Sequence, residues 1–442
     1  MGTLSARVGE SAAIIGCACS SSAVAQLCAP FWVRPQQATI DLTHIGGPNA
    51  VFDDGSGPAL YTTHFYPDNG VARWRGEAWE RLDSGLPTNL GGGYAFRALD
   101  EGNGRTLYFV GSYNSAAALW RWSGLNWVLA PAAMYGSGSG PLCSYDDGSG
   151  MAIYGIYWSG MAAMFGKWDG QQWTPVLPIT PLGSSVYAQM QTADLGDGPA
   201  IYLLGWTSMP SLPGANHAAK WDGHQFTFLG DGFTGPSCDV RTLAVYDDGT
   251  GPELYVGGGF VGVGNLPIAG LAKWNGQRWA AVPGHSDGPV QSMTVFDDGA
   301  GPGLYVCGIF SPQGGVPCRN IARYDRTGWH ALGDGVPGNS NYLAPFPQDP
   351  RGPCLFLWAS AASGGVGGGL QGVGGDVQWV GCPNCYANCD NSTQPPKLNV
   401  LDFLCFLNKF AAADPYANCT VDATIDINDF MCFLTKFAAG CP

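Results

Sequence analysis

The chain has 442 residues, of which 45% are hydrophobic and only 12% charged, with 67 glycines and 32 prolines. An ordinary soluble domain carries about a quarter charged residues, so long solvated helices are excluded and short strands joined by tight turns are favoured. Twenty Lys and Arg against 34 Asp and Glu give a net charge of −14, which excludes a nucleic-acid partner and favours cation binding.

At the N-terminus Arg7 precedes an apolar, small-residue stretch over 12–25, and Ala23-Val24-Ala25 stands before Gln26. That order predicts a signal peptide over 1–25. Ile14-Ile15-Gly16-Cys17 admits a lipoprotein reading, and a disordered tail is the plain alternative. Fifteen cysteines, seven of them between Cys382 and Cys441, fit an oxidising compartment, so a secreted or cell-surface protein is expected. Cys382-Pro-Asn-Cys385 has zinc-knuckle spacing, but no second such pair follows, which favours disulfides of undetermined pairing. No run of about 18 apolar residues occurs, so no transmembrane segment is expected.

Residues 26–381 are built on a repeat best seen from Leu243 to Val282. Its Tyr255 has counterparts at Tyr61, Tyr108, Tyr154, Tyr202, Tyr305 and Phe356, spaced 46 to 53 residues apart. An apolar run, the turn Asp247-Asp248-Gly249-Thr250-Gly251 and a returning run predict two strands, and Leu271–Trp274, Asn275-Gly276 and Gln277–Val282 predict a second hairpin. Four antiparallel strands in each of seven units predict an all-β fold, a seven-bladed β-propeller of four-stranded blades. The unit resembles the propeller arrays of kelch-like and related bacterial secreted proteins over Phe31 to Trp379, a likeness that implies fold and no activity. Blade seven is Gly-rich over 364–375, and its closure is expected to borrow a strand from 31–42.

Repetition points to scaffold. The acid pairs Asp53-Asp54, Asp146-Asp147, Asp247-Asp248 and Asp297-Asp298 invite calcium or catalytic readings, but Asp before Gly is ordinary turn chemistry. Arg73, Arg121, Lys167, Lys220, Lys273 and Arg323 recur on the third strand, so ion pairs with those turns are expected. The Trp pairs 74/79, 122/127, 168/173 and 274/279 read as packing. Variable loops over 207–216, 261–267 and 311–319 gather at the opposite end, where Cys307 and Cys318 could staple the blade-six loop. The aromatics ending the second strands, Tyr66, Tyr113, Trp158, Trp206, Phe260 and Phe310, are candidate ligand-binding residues for a glycan, with packing as the rival role. Six scattered histidines form no metal pair or nucleophile motif.

Residues 382–442 differ in character. Tyr386-Ala387-Asn388-Cys389 and Tyr416-Ala417-Asn418-Cys419 open two copies, each ending in an apolar helical stripe, over 402–412 and 429–439. Asn418, Thr420, Asp422, Thr424, Asp426 and Asp429 occupy positions 1, 3, 5, 7, 9 and 12 of an EF-hand-like calcium loop, with Ala423 at position 6 and Asp at position 12. The first loop offers Asn388, Asp390, Ser392, Asn399 and Asp402 with three extra residues. The paired copies and Gly-Cys ending resemble the GC-type dockerin of bacterial secreted proteins. That resemblance implies a small α-helical loop-helix pair, Ca2+ as cofactor and a cohesin-like or cell-surface partner. The function expected is non-enzymatic binding or surface display; a carbohydrate-active enzyme anchored by the same module is the alternative.

Overall fold

Blade five shows why the chain folds as it does. Along Val240–Asp247 the side chains alternate between buried and half-buried, the period of a strand whose two faces both meet neighbours. Gly249 and Gly251 then turn the chain at φ of 101° and 110°, angles that cost glycine little. Asp247 accepts hydrogen bonds from both of their amides, at 2.8 and 2.9 Å. The chain returns as Pro252–Gly258, and Leu271–Trp274 with Trp279–Ala281 completes an antiparallel four-stranded sheet.

A computed structural model gives this architecture for residues 31–33, 45–359 apart from short segments, 375–380, 400–411, 417 and 426–439. Seven such sheets form the blades: 45–81, 90–129, 142–181, 188–228, 240–281, 290–331 and 340–380. Blade three carries an added edge strand, Thr207–Ser208, and Phe233–Thr234 pairs with Gly262–Val263. Two segments expected as irregular loops are thus partly strand: the first because the unpaired edge of blade three is a ready partner for passing backbone, the second in a separate two-stranded ribbon.

The seventh blade takes its outer strand from the other end of the propeller. Phe31–Val33 pairs antiparallel with Gly375–Val380, which is its third strand and lies just beyond most of the Gly-rich run. Trp32 meets Trp379 edge-on at 5.1 Å, as Trp122 meets Trp127 at 5.1 Å and Trp274 meets Trp279 at 5.2 Å within single hairpins. Each fourth-strand indole can reach back one blade: Trp127 donates to Leu82 O, Trp279 to Leu229 O, Trp329 to Pro283 O and Trp32 to Leu332 O, at 2.7–3.0 Å. The Trp pairs are therefore packing, as their repetition implied.

The apolar interior is divided among the blade interfaces. Blades one and two share Phe52, Tyr61, Phe96, Phe109 and Trp127, and blades seven and one share Leu60, Trp74, Ala344, Phe356 and Trp358. Every neighbouring pair has such a cluster, so stability resides between blades. Around the axis, the first strands are laced by side chains: Asn49 donates to Leu343 O, Leu343 N to Ser292 Oγ, Met293 N to Thr242 Oγ1, Thr192 to Ser144 O and Ser144 to Ala98 O, at 2.6–3.2 Å.

The C-terminal part forms two helices, α1 (Val400–Ala411) and α2 (Ile427–Ala439). Their stripes meet at Phe406 and Phe433, both fully buried, with rings stacked at 3.9 Å and 9°. Among the described residues no helix is long and apolar enough to cross a membrane.

Candidate functional site

The acidic turns divide labour between their two carboxylates. The first Asp accepts the turn amides: Asp53 from Gly55 and Gly57, Asp146 from Gly148 and Gly150, and Asp297 from Gly299 and Gly301, all at 2.8–3.0 Å. The second Asp takes the repeat tyrosine and the third-strand base. Asp54 accepts Tyr61 at 3.1 Å and Arg73 at 2.8 Å; Asp147 accepts Tyr154 at 2.7 Å and Lys167 at 2.8 Å. Lys273 reaches both Asp248 and Glu253. In blade six the pattern shifts: Arg323 pairs with Asp325, and Asp298 accepts the indole N–H of Trp379 at 2.9 Å. These carboxylates hold turns, tyrosines and neighbouring blades.

Burial alone would raise the pKa of Asp54, but hydrogen bonds from Ser56 and Tyr61 and the charge of Arg73 outweigh it and bring the carboxyl from 3.8 down to about 2. A folded value below the unfolded one stabilises fully above about pH 4, and that contribution is lost as the pH falls toward 2. Asp54→Asn is therefore expected to make the acid limb of the melting-temperature curve shallower over that interval. A limb of unchanged slope would assign the acid sensitivity to other groups.

At the other end, the second-strand aromatics do not act as one set. Phe260 is 1% exposed and packs on Phe233 at 4.7 Å, and Phe310 is 7% exposed beside His285 at 6.4 Å. Both lie beneath their loops, because their strands end inside the blade interface, and neither offers a ring face for stacking. Tyr113 is half-buried against Trp120, and Trp158 lies on the second strand of blade three. Tyr66 and Trp206 fall outside the described residues. Cys307 and Cys318 are both buried thiols, so the expected staple is absent. The reason is strand parity and loop course: Cys307 packs into the interface with blade seven, Cys318 into that with blade five.

The first strands line an open axial cavity of about 640 Å³. Strand register sets its layers. Ala50, Arg97, Cys143, Gln191, Ala244, Thr294 and Ala344 each stand opposite the repeat Tyr or Phe of the second strand, so they share one level of the ring. All but Ala344 line the cavity, and Arg97 is the level's one charge. Arg97 Nε donates to Leu142 O across the interface with blade three at 2.5 Å. Desolvation lowers the guanidinium pKa, countered only by the Cys143 sulfur. Sequence reasoning missed this residue. Its signal is the position eleven before each repeat tyrosine, where the five other tyrosine-bearing blades carry Ala, Cys, Gln, Ala and Thr.

Of the predicted calcium donors, Asp402, Asp426 and Asp429 are described; Asn388, Asp390, Ser392, Asn399, Asn418, Thr420, Asp422 and Thr424 lie outside the described residues. Asp402 and Asp429 hold equivalent places in the first turns of α1 and α2, and both are 0% exposed. Asp429 Oδ2 accepts the amide of Asp426 at 2.8 Å, closing the end of the second loop onto its helix. Among the described residues no three His, Cys, Asp or Glu side chains converge as a metal centre.

No protein-family model matches the sequence, and no curated protein matches it. Similar solved structures include the SapL1 lectin in complex with α-methyl fucoside, at 14% identity over 67% of this chain and 99% of that one, TM-score 0.37. The six-bladed fungal Aleuria aurantia lectin aligns at 13% identity over 67% and 98%, TM-score 0.34. The exo-β-1,3-galactanase of Phanerochaete chrysosporium aligns at 10% identity over 64% and 80%, TM-score 0.30. Likeness this slight carries nothing about ligand or activity, and the blade count rests on the chain's own strand pairing.

Proposed function

We propose that this chain is an exported binding or display protein, whose propeller holds a ligand and whose C-terminal helix pair is a calcium-dependent, dockerin-like tether to a cohesin-like or cell-surface partner. One observation carries the tether: Asp402 and Asp429, fully buried, begin the two helices at equivalent positions, each where a chelating loop would end. Carboxylate oxygens held at such a loop end are the hard donors that a calcium ion takes. Asp422, Asp426 and Asp429 would hold it in the second loop with Asn418, Thr420 and Thr424; Asn388, Asp390, Ser392, Asn399 and Asp402 form the counterpart set. Calcium would neutralise these groups and set the start of each helix, presenting its outer face to the partner. Cys405 and Cys432, one on each helix, are disulfide-bonded, which supports export to an oxidising compartment. A glycan at the loop face would meet Tyr66, Tyr113, Trp158 and Trp206.

Calorimetric titration of the full chain with calcium tests the tether. Asp422→Ala with Asp429→Ala is expected to remove second-loop uptake, and equal uptake by variant and parent would refute the donor assignment. A glycan array, with reducing-sugar release measured on the glycans bound, tests the propeller reading: binding without release is expected, and release would make the chain an enzyme.

A further inference from the structure

We propose that the axial cavity binds a small hydroxylated carboxylate, of the chemical class of a uronic acid, with Arg97 as its anion anchor. The inference rests on the reading of the propeller as a ligand scaffold, and is independent of the tether.

The protein carries a net charge of −14, yet among the described residues the cavity wall contains no carboxylate, and its cations there are Arg97 and Arg105. Arg105 is exposed. Arg97 fronts the cavity while sitting deep enough for desolvation to lower its pKa, and no carboxylate among the described residues pairs with it. An uncompensated cation in such a place is costly, and other blades meet the same structural need at this level with Ala, Cys, Gln or Thr.

The geometry narrows the ligand. Nε of Arg97 is engaged with Leu142 O, which orients the guanidinium and leaves its two terminal nitrogens as a pair of parallel donors, the arrangement that suits a planar carboxylate. Around it the level supplies neutral polar groups, the Gln191 amide and the Thr294 hydroxyl, suited to hydroxyls. The alanines at 50 and 244 leave the space that larger residues would fill. A phosphate dianion would call for more than one buried cation. The volume of about 640 Å³ lies within the range of about 300–1,000 Å³ usual for small-molecule sites.

The test is calorimetric titration of the full chain with sodium glucuronate, with glucose as the uncharged control and inorganic phosphate as the anion control. Glucuronate is expected to bind and glucose not, and Arg97→Gln should weaken glucuronate by at least roughly 10-fold while melting cooperatively. A purely structural Arg97 would change the melting temperature and leave the affinity alone. Should Arg97→Gln fail to fold, Gln191→Leu, which keeps Arg97 and its Leu142 bond, must weaken glucuronate several-fold. No glucuronate binding by the parent, equal affinity in a folded Arg97→Gln, unchanged affinity in Gln191→Leu, or phosphate binding as tightly as glucuronate would each overturn the proposal. Loss of the calcium result would leave all of these readings intact, so the two can fail separately.

Discussion

Trp32→Ala is expected to open the ring. Trp32 lies on a strand of only three residues, Phe31–Val33, and its indole makes both the ring contact to Trp379 and the hydrogen bond to Leu332 O. Trp32 is half-buried, so its removal costs less than the roughly 3–5 kcal/mol of a fully buried Trp, but three residues of backbone pairing have little else to hold them. Loss of the strand would leave Gly375–Val380 as a bare edge and expose the interface that Leu332, Leu343, Leu355 and Trp379 share. The same change at Trp279 should do less, because its strand is tethered by a tight hairpin to Leu271–Trp274. Hydrogen exchange across 375–380, with denaturant unfolding of the parent and both variants, measures this. Retained protection in Trp32→Ala, or an effect no larger than that of Trp279→Ala, would mean that the termini do not close the ring.

Phe433→Ala is expected to melt the helix pair. The cluster that holds α1 and α2 has three fully buried residues, Phe406, Ala417 and Phe433, with other phenylalanines only partly covered. Helices of 12 and 13 residues are marginal alone, so their stability comes from packing. A loss of about 3–5 kcal/mol is more than so small a core can spare. Exchange protection over 400–411 and 427–439 should vanish in Phe433→Ala and largely persist in Phe433→Leu, which keeps most of the apolar volume. Protection unchanged in the alanine variant would show that the disulfides at Cys405 and Cys432, rather than the stacked rings, carry the pair.

Much of this architecture could be read from the chain because it is local and repeated. A hairpin at Asp247–Gly251 follows from two glycines at positive φ and one Asp that accepts their amides, and a spacing near 50 residues recurs because each blade buries its faces only against the next. The structural role of the repeated acids, bases and Trp pairs followed from the same repetition. The helical stripes over 402–412 and 429–439 were equally visible, since their phenylalanines recur at the period of one helix face.

What the repeat could not state is which residues meet around a closed ring. Strand alternation tells that Cys307 and its neighbours point to opposite sides, but whether a given side faces blade five or blade seven depends on how the sheets stack, and so the staple with Cys318 was misjudged. Phe260 and Phe310 were open to binding or packing for the same reason: a strand-ending aromatic is exposed or covered according to the neighbouring blade's loops, which lie a repeat away in sequence. Arg97 stands at one position of a strand like six others, and becomes a lone cation at the axis only when seven first strands are brought side by side. Amino-acid order by itself determined the strands, the turns, the number of blades and the two helices, because each depends on contacts within one hairpin or one helical turn. Tertiary structure alone decided the partner of Trp32 among the candidates of blade seven, the covering of the loop-face aromatics and the wall of the axial cavity, because those depend on the closure of the ring, a pairing of Trp32 with Trp379 from the far end of the propeller.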